Sequence, residues 1–327
     1  MRLPILFLAA AMTLPAAVSG VVMNKTTGKP QAGVTVTMTK FGGAGMEAAG
    51  STKTDAEGKF TFADEAGTAH LLQAEFQGIK YSAPMSQTAG AALEIAVYDS
   101  SPNVPQARAD QHMFMVESNG EELVVNETVV FINPTQVTWN NTKSGTVKIF
   151  VPPSAGDAIM ARVIAQGGMP VERQPVKTTA ANVWTVDYPV KPGETRFDFS
   201  YKVPAAAGPM LQTKLLNGAA TPKLVLPKGV EAAGEGIVSV GNEPTTQAAV
   251  YDITAKELKL TITGSGTLSV VPSTEGESEG PKIKQIMPPG YDRNWKWAFG
   301  LTLAFLALGF AAHYLKGTAT DLNKRKV

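Results

Sequence analysis

Val34-Thr-Val-Thr-Met-Thr39 alternates without a break: Val34, Val36 and Met38 fall on one side, and Thr35, Thr37 and Thr39 on the other. A period of two is that of a β-strand with one face buried and the other wet. Lys59-Phe-Thr-Phe62 repeats the pattern with Phe60 and Phe62 on the apolar side, and Leu93, Ile95 and Val97 repeat it again. Between these runs lie turn formers: Thr27-Gly-Lys-Pro30, Asp55-Ala-Glu-Gly58 and Gln77-Gly78. Glycine supplies positive φ in such turns, and Asp folds back on its own backbone. About seven short strands so spaced predict a small antiparallel sandwich over residues 20–99.

Working outward, the same residues carry a family pattern. Ser19-Gly-Val-Val22, Thr27-Gly-Lys-Pro30, Ala32-Gly-Val-Thr-Val36 and Thr54-Asp-Ala-Glu-Gly-Lys-Phe60 follow one another in order and spacing. The stretch resembles the carboxypeptidase regulatory-like domain. Ala74-Glu-Phe-Gln-Gly-Ile-Lys-Tyr81 is similar to that family's closing strand, with Ile79 where an aromatic is common and the aromatic displaced to Tyr81. The resemblance implies a transthyretin-like β-sandwich and no catalysis, because the module accompanies the active parts of its host proteins. Asp55 and Gly58 are expected to form a structural turn. The alternative is a calcium site at Asp55-Ala-Glu-Gly58, but calcium needs about six to eight oxygens and two carboxylates do not supply them.

Strand signals resume beyond residue 99. Ser100 to Ala109 is polar and contains proline, as a linker would be. Glu122–Ile132, Thr146–Val151, Val183–Val186 and Phe197–Val203 then read as strands, the last introduced by the turn Lys191-Pro-Gly-Glu194. Gly236–Val240, Ala248–Ile253, Leu258–Thr263 and Leu268–Val271 follow. These predict a second β-sandwich over 100–205 and a smaller β unit over 206–272, separate or part of the second domain. No helix longer than about two turns is indicated before residue 295. The fold class expected is all-β: tandem antiparallel β-sandwich domains, Ig-like or transthyretin-like, plus one C-terminal transmembrane helix.

The ends set the expected topology. Arg2, the apolar run Leu3–Met12 and the small residues to Gly20 read as a signal peptide over 1–19, cut after Ser19 or, alternatively, after Ala11. Residues 273–294 read as a flexible polar stalk. Trp297–Leu315 contains no Asp, Glu, Lys or Arg. As a helix it would be about 28 Å long, the thickness of a hydrocarbon core. The membrane-anchor residues expected are Trp295 and Trp297 at one interface, Tyr314 at the other, and Lys316, Lys324, Arg325 and Lys326 in a basic cytoplasmic tail over 316–327. The transmembrane segment is placed at 295–315, with the bulk of the chain extracytoplasmic, in the periplasm or at the cell surface.

Composition narrows the chemistry. The 327 residues include no cysteine, so disulfides, thiolate metal sites and cysteine nucleophiles are excluded. The net charge is +1, and apart from Arg2 and the tail the chain is slightly acidic, a poor match for nucleic acid. His70, His112 and His313 form no His-Glu-x-x-His, and no Gly-x-Ser-x-Gly or Walker loop is present. His112-Met-Phe-Met115 could suggest copper. In a strand, however, His112 and Phe114 face away from Met113 and Met115, and the two methionines are expected to enter a core.

No catalytic residue, cofactor or metal is expected. The residues point to a non-enzymatic membrane-anchored envelope protein that binds a protein partner or glycan. The alternative is an accessory subunit of a membrane transport or envelope assembly complex, with Gly300 and Gly309 allowing close helix contact.

Overall fold

The computed structural model describes residues 17–42, 45–63, 70–83, 93–205, 210–219 and 221–268. All lie before a division of the chain at Val271. Strands dominate; the single helical element among the described residues is a 3-10 turn at Pro153–Ala155.

The first lobe holds β1 (Ala17–Asn24), β2 (Lys29–Pro30), β3 (Thr35–Gly42), β4 (Gly45–Lys53), β5 (Lys59–Ala63), β6 (His70–Phe76), β7 (Ile79–Ser82) and β8 (Leu93–Val97). One sheet gathers β2, β5 and β8 around β1, and the other runs β4-β3-β6-β7. The alternation at 34–39 is realised: Val34, Val36 and Met38 are buried with Val22, Phe60, Phe62, Ile95 and Val97. Each such side chain contributes about 1.5–3 kcal/mol when fully buried. β1 extends through the expected cleavage point, pairing Ala17, Val18 and Ser19 with Ala63, Phe62 and Thr61. A cut after Ser19 trims this strand, whereas one after Ala11 leaves it whole.

The second lobe holds β9 (Ser100–Ser101), β10 (Arg108–Ser118), β11 (Glu122–Asn133), β12 (Thr138–Trp139), β13 (Val147–Phe150), β14 (Met160–Ala165), β15 (Val171–Arg173), β16 (Val176–Lys177), β17 (Val183–Val186) and β18 (Gly193–Pro204). It continues with β19 (Met210–Lys214), β20 (Lys223–Leu226), β21 (Val230–Ala233), β22 (Ile237–Asn242), β23 (Ala249–Ile253) and β24 (Glu257–Gly264). An eight-stranded sheet runs β15-β14-β18-β11-β10-β20-β23-β22. The three-stranded sheets β13-β17-β16 and β19-β24-β21 share its core. Strands from 108–204 and from 223–253 therefore form one continuous sheet, joined where Met113–Met115 of β10 pairs with Lys223–Val225 of β20.

Several expectations change. The sheets are not purely antiparallel: β1–β8, β9–β12 and β10–β20 are parallel. Parallel partners need a long crossover, so no local turn announces them. The segment 100–109 is not a free linker, since β9 pairs with β12, Val104 is buried and β10 begins at Arg108. The two faces of His112-Met-Phe-Met115 divide as expected, but His112 and Phe114 are the buried ones and Met113 and Met115 are half-exposed. A buried carboxylate, Glu127, makes the histidine the inward residue. No helix among the described residues is long and apolar enough to cross a membrane. The stretch expected to do so, with Trp295, Trp297, Tyr314, Lys316, Lys324, Arg325 and Lys326, lies outside them.

Candidate functional site

The two lobes border a cleft of about 820 Å³. The first lobe supplies β7 and part of β8. The second supplies the β14–β15 hairpin and residues 187–192, which lead into β18.

The junction is fixed by polar contacts at its other end. Asn24 Nδ2 donates to Asp99 Oδ1 at 2.9 Å, the Asp99 amide donates to Thr26 Oγ1 at 2.9 Å, and the Thr138 amide donates to Asp99 O at 2.8 Å. The Thr26 hydroxyl also donates to Gln136 O. Tyr81 adds a link from β7. Its hydroxyl donates to Tyr98 O at 3.1 Å and lies 2.9 Å from the buried Thr138 hydroxyl. Burial pushes Tyr81 up to about 12, partly offset by those hydrogen bonds, so the phenol is protonated at neutral pH.

Lys191 reaches back across the cleft. Its Nζ donates to Lys80 O at 2.5 Å and sits 5.0 Å from the centre of the Tyr81 ring. The side chain is partly open at the surface, yet enough protein surrounds the amine that burial lowers it to about 8. Arg173 of β15 lies over Tyr188, 5.6 Å from the ring centre. Burial raises Tyr188, and the Arg173 charge opposes that shift. Both are cation–π arrangements. Among the described residues neither Lys191 nor Arg173 pairs with a carboxylate. Of the acids on the lining, Glu94 is held by Lys25 at 2.5 Å, and Asp187 is exposed.

A second polar cluster is sealed in the second-lobe core. His112 Nε2 lies 2.7 Å from Glu127 Oε1, both side chains essentially without exposure. Glu127 lies opposite Phe114 on one side and Phe199 on the other, so His112 and Tyr201 are its diagonal neighbours across the sheet. Burial raises Tyr201 well above the ordinary range, and the Glu127 charge adds to it. The Thr213 hydroxyl eases that shift slightly, but no hydrogen bond of good geometry joins it to Tyr201. Among the described residues, His112 Nδ1, Glu127 Oε2, Tyr201 OH and Thr213 Oγ1 have no hydrogen-bond partner. None of these residues lines the cleft.

Asp55 and Gly58 belong to neither site. Asp55 Oδ1 accepts from the amides of Glu57 at 3.0 Å and Lys59 at 2.7 Å. Gly58 adopts φ 73°, with Val22 O and Pro30 Cβ both 2.9 Å from where a Cβ would stand. Lys191 and Tyr81, the centre of the cleft, carried no site signal in the sequence: one sits in a turn motif, the other in a module strand. They meet across a sequence separation that no periodicity spans.

No family model matches the chain, and no curated protein does. Among solved structures, an M1 zinc metallopeptidase from Deinococcus radiodurans is similar at 13% identity and a TM-score of 0.24, covering 50% of this chain and 43% of that one. A two-domain form of an M1 zinc metallopeptidase mutant bound to L-tryptophan scores 0.25 at 13% identity, covering 50% and 44%. The chain thus spans less than half the length of these structures, and likeness at this level carries no argument about fold or chemistry.

Proposed function

We propose that this is a non-enzymatic binding protein of the cell envelope, held by a C-terminal membrane helix, whose extracytoplasmic β lobes take a protein partner or glycan in the cleft between them. The observation that carries this is the cleft itself: β7, the β14–β15 hairpin and residues 187–192 line one opening, and inside it Lys191 is bonded to Lys80 O with no carboxylate partner among the described residues. Clefts between lobes are where ligand sites concentrate, and a few placed polar groups in them give orientation.

A photo-crosslinking residue tests the reading. Placed at Gln166, on the lining, it should capture the physiological partner when the full chain is expressed in its own cells. Placed at exposed Glu57, it should not. Equal capture at both positions, or at neither, overturns the assignment of the cleft. If a membrane complex instead co-elutes in mild detergent and survives Lys191→Glu, the accessory-subunit reading replaces it.

A further inference from the structure

The cleft is bordered by free sheet edges. Among the described residues, β7 pairs only with β6, and β15 only with β14. The direction of the β7 backbone follows from two contacts. The Ala83 amide donates to Leu72 O, so Ala83, Tyr81 and Ile79 turn their backbone groups toward β6. Lys80 and Ser82, the alternate residues, therefore turn theirs outward. Lys191 Nζ bonded to Lys80 O shows that this outward edge faces the second lobe. Edge strands present a row of unpaired donors and acceptors, and proteins ordinarily cover or charge them. Here one amine covers one carbonyl. Among the described residues, the Lys80 amide and the Ser82 amide and carbonyl have no partner beyond their own strand.

The charge around this edge is one-sided. Lys80, Lys191 and Arg173 line the cleft without carboxylate partners among the described residues. Among the described residues, Asp187 is the one lining acid with no base, because Glu94 is neutralised by Lys25.

We propose that the cleft binds an extended, acidic peptide segment of a protein partner, which adds as a strand to the β7 edge through the Lys80 amide and the Ser82 amide and carbonyl and sets a carboxylate against Lys191. This rests on reading the cleft as the binding site. Strand addition draws affinity from backbone hydrogen bonds and specificity from alternate side chains. An incoming carboxylate would favour the charged form of Lys191, so binding should take up a proton. It should be firm below about 8 and weaken as pH rises past it. The other titratable or charged groups around the amine are Tyr81, Tyr98, Tyr188, Lys80, Glu94, Arg173 and Asp187. Tyr81 stays neutral through this range.

The test uses the full chain in mild detergent and a fluorescent, end-blocked octapeptide alternating glutamate and threonine, followed by anisotropy. The expected result is saturable binding, with a lysine–threonine counterpart failing to bind. Lys191→Met should weaken the acidic peptide by about tenfold or more, the scale of a charge-assisted hydrogen bond. Ser82→Pro removes an outward donor and leaves the backbone ladder to β6 intact, losing there only the exposed Gln73 Nε2 to Ser82 Oγ contact, at a position where an edge strand tolerates proline. It should abolish most binding while the circular dichroism is unchanged. N-methylation of alternate peptide amides should do the same. Acidic-peptide binding that is indifferent to both Ser82→Pro and N-methylation overturns strand addition. Capture of an oligogalacturonate but not the peptide, lost in Lys191→Met, overturns the peptide ligand and leaves the cleft as a site for acidic glycans. Binding of neither probe also overturns the inference, and the crosslinking at Gln166 then decides independently whether the cleft is a site at all.

Discussion

At the scale of single residues, three positions give sharp expectations. Gly58 sits in the left-handed region with backbone oxygen close by, so Gly58→Val should lower stability by about 1–3 kcal/mol. Glu57 is exposed, and Glu57→Ala should stay within about 0.5 kcal/mol. Denaturant unfolding of the full chain, with and without calcium, distinguishes a turn from a metal site; a calcium-dependent midpoint lost in Glu57→Ala would overturn the structural turn. His112 and Glu127 are a sealed pair, so His112→Ala leaves a buried carboxylate alone and should cost about 3–5 kcal/mol. Replacing both partners with leucine and methionine should cost less than either single truncation, because the uncompensated group disappears with its partner. A double change that costs the sum of the singles would rule that account out. Lys191 and Tyr81 give the pH dependence. Lys191 falls from 10.5 to about 8, so between those values the unfolded chain holds the extra proton and this group makes stability rise with pH. Tyr81 climbs from 10.0 to about 12, so across that range the folded chain holds the extra proton and stability falls. Urea midpoints against pH should lose the rise in Lys191→Met and part of the fall in Tyr81→Phe.

At the scale of elements, β1 bears on where the expected signal peptide would be cut. Its residues Ala17–Ser19 pair with Ala63–Thr61, and Gly20 is buried against Phe60 and the Leu93 carbonyl. A cut after Ser19 would place a new ammonium at that buried glycine, which is costly without a partner. The intact mass of membrane-extracted protein should therefore show a start near Met12 rather than at Gly20. A start at Gly20 would mean that the strand forms without its first three residues. Edge strands also differ in how they are guarded. β22 carries exposed Val238 and Val240 but bears a bulge between Ser239 and Gly241, which disrupts further pairing. β7 pairs with β6 through a regular register with no bulge to guard its outer side.

At the scale of the whole molecule, the described residues fold without a membrane-spanning helix, and the expected anchor lies beyond them. Truncation before Asn294 should release a soluble, β-rich protein that retains the cleft. Aggregation of that protein, or a helical far-ultraviolet spectrum, would contradict the architecture. The eight-stranded sheet predicts that unfolding of residues 108–204 and 223–253 is cooperative. Hydrogen exchange should report one opening free energy for β10 and β20 rather than two.

By itself the sequence determined what depends on neighbours a few residues away. Alternation at Val34–Thr39, Lys59–Phe62 and Phe197–Val203 marked strands and their inward faces, because a pleat places every second side chain on one side. The turn at Asp55–Gly58 was legible for the same local reason. The tertiary structure alone decided what depends on distant segments. It turned His112 rather than Met113 inward, since the deciding partner, Glu127, is on another strand. It joined β20 to β10 in parallel, where no turn marks the pairing. It set Lys191 on the outward carbonyl of Lys80, a contact made by folding one lobe against the other and carried by no periodicity of either segment.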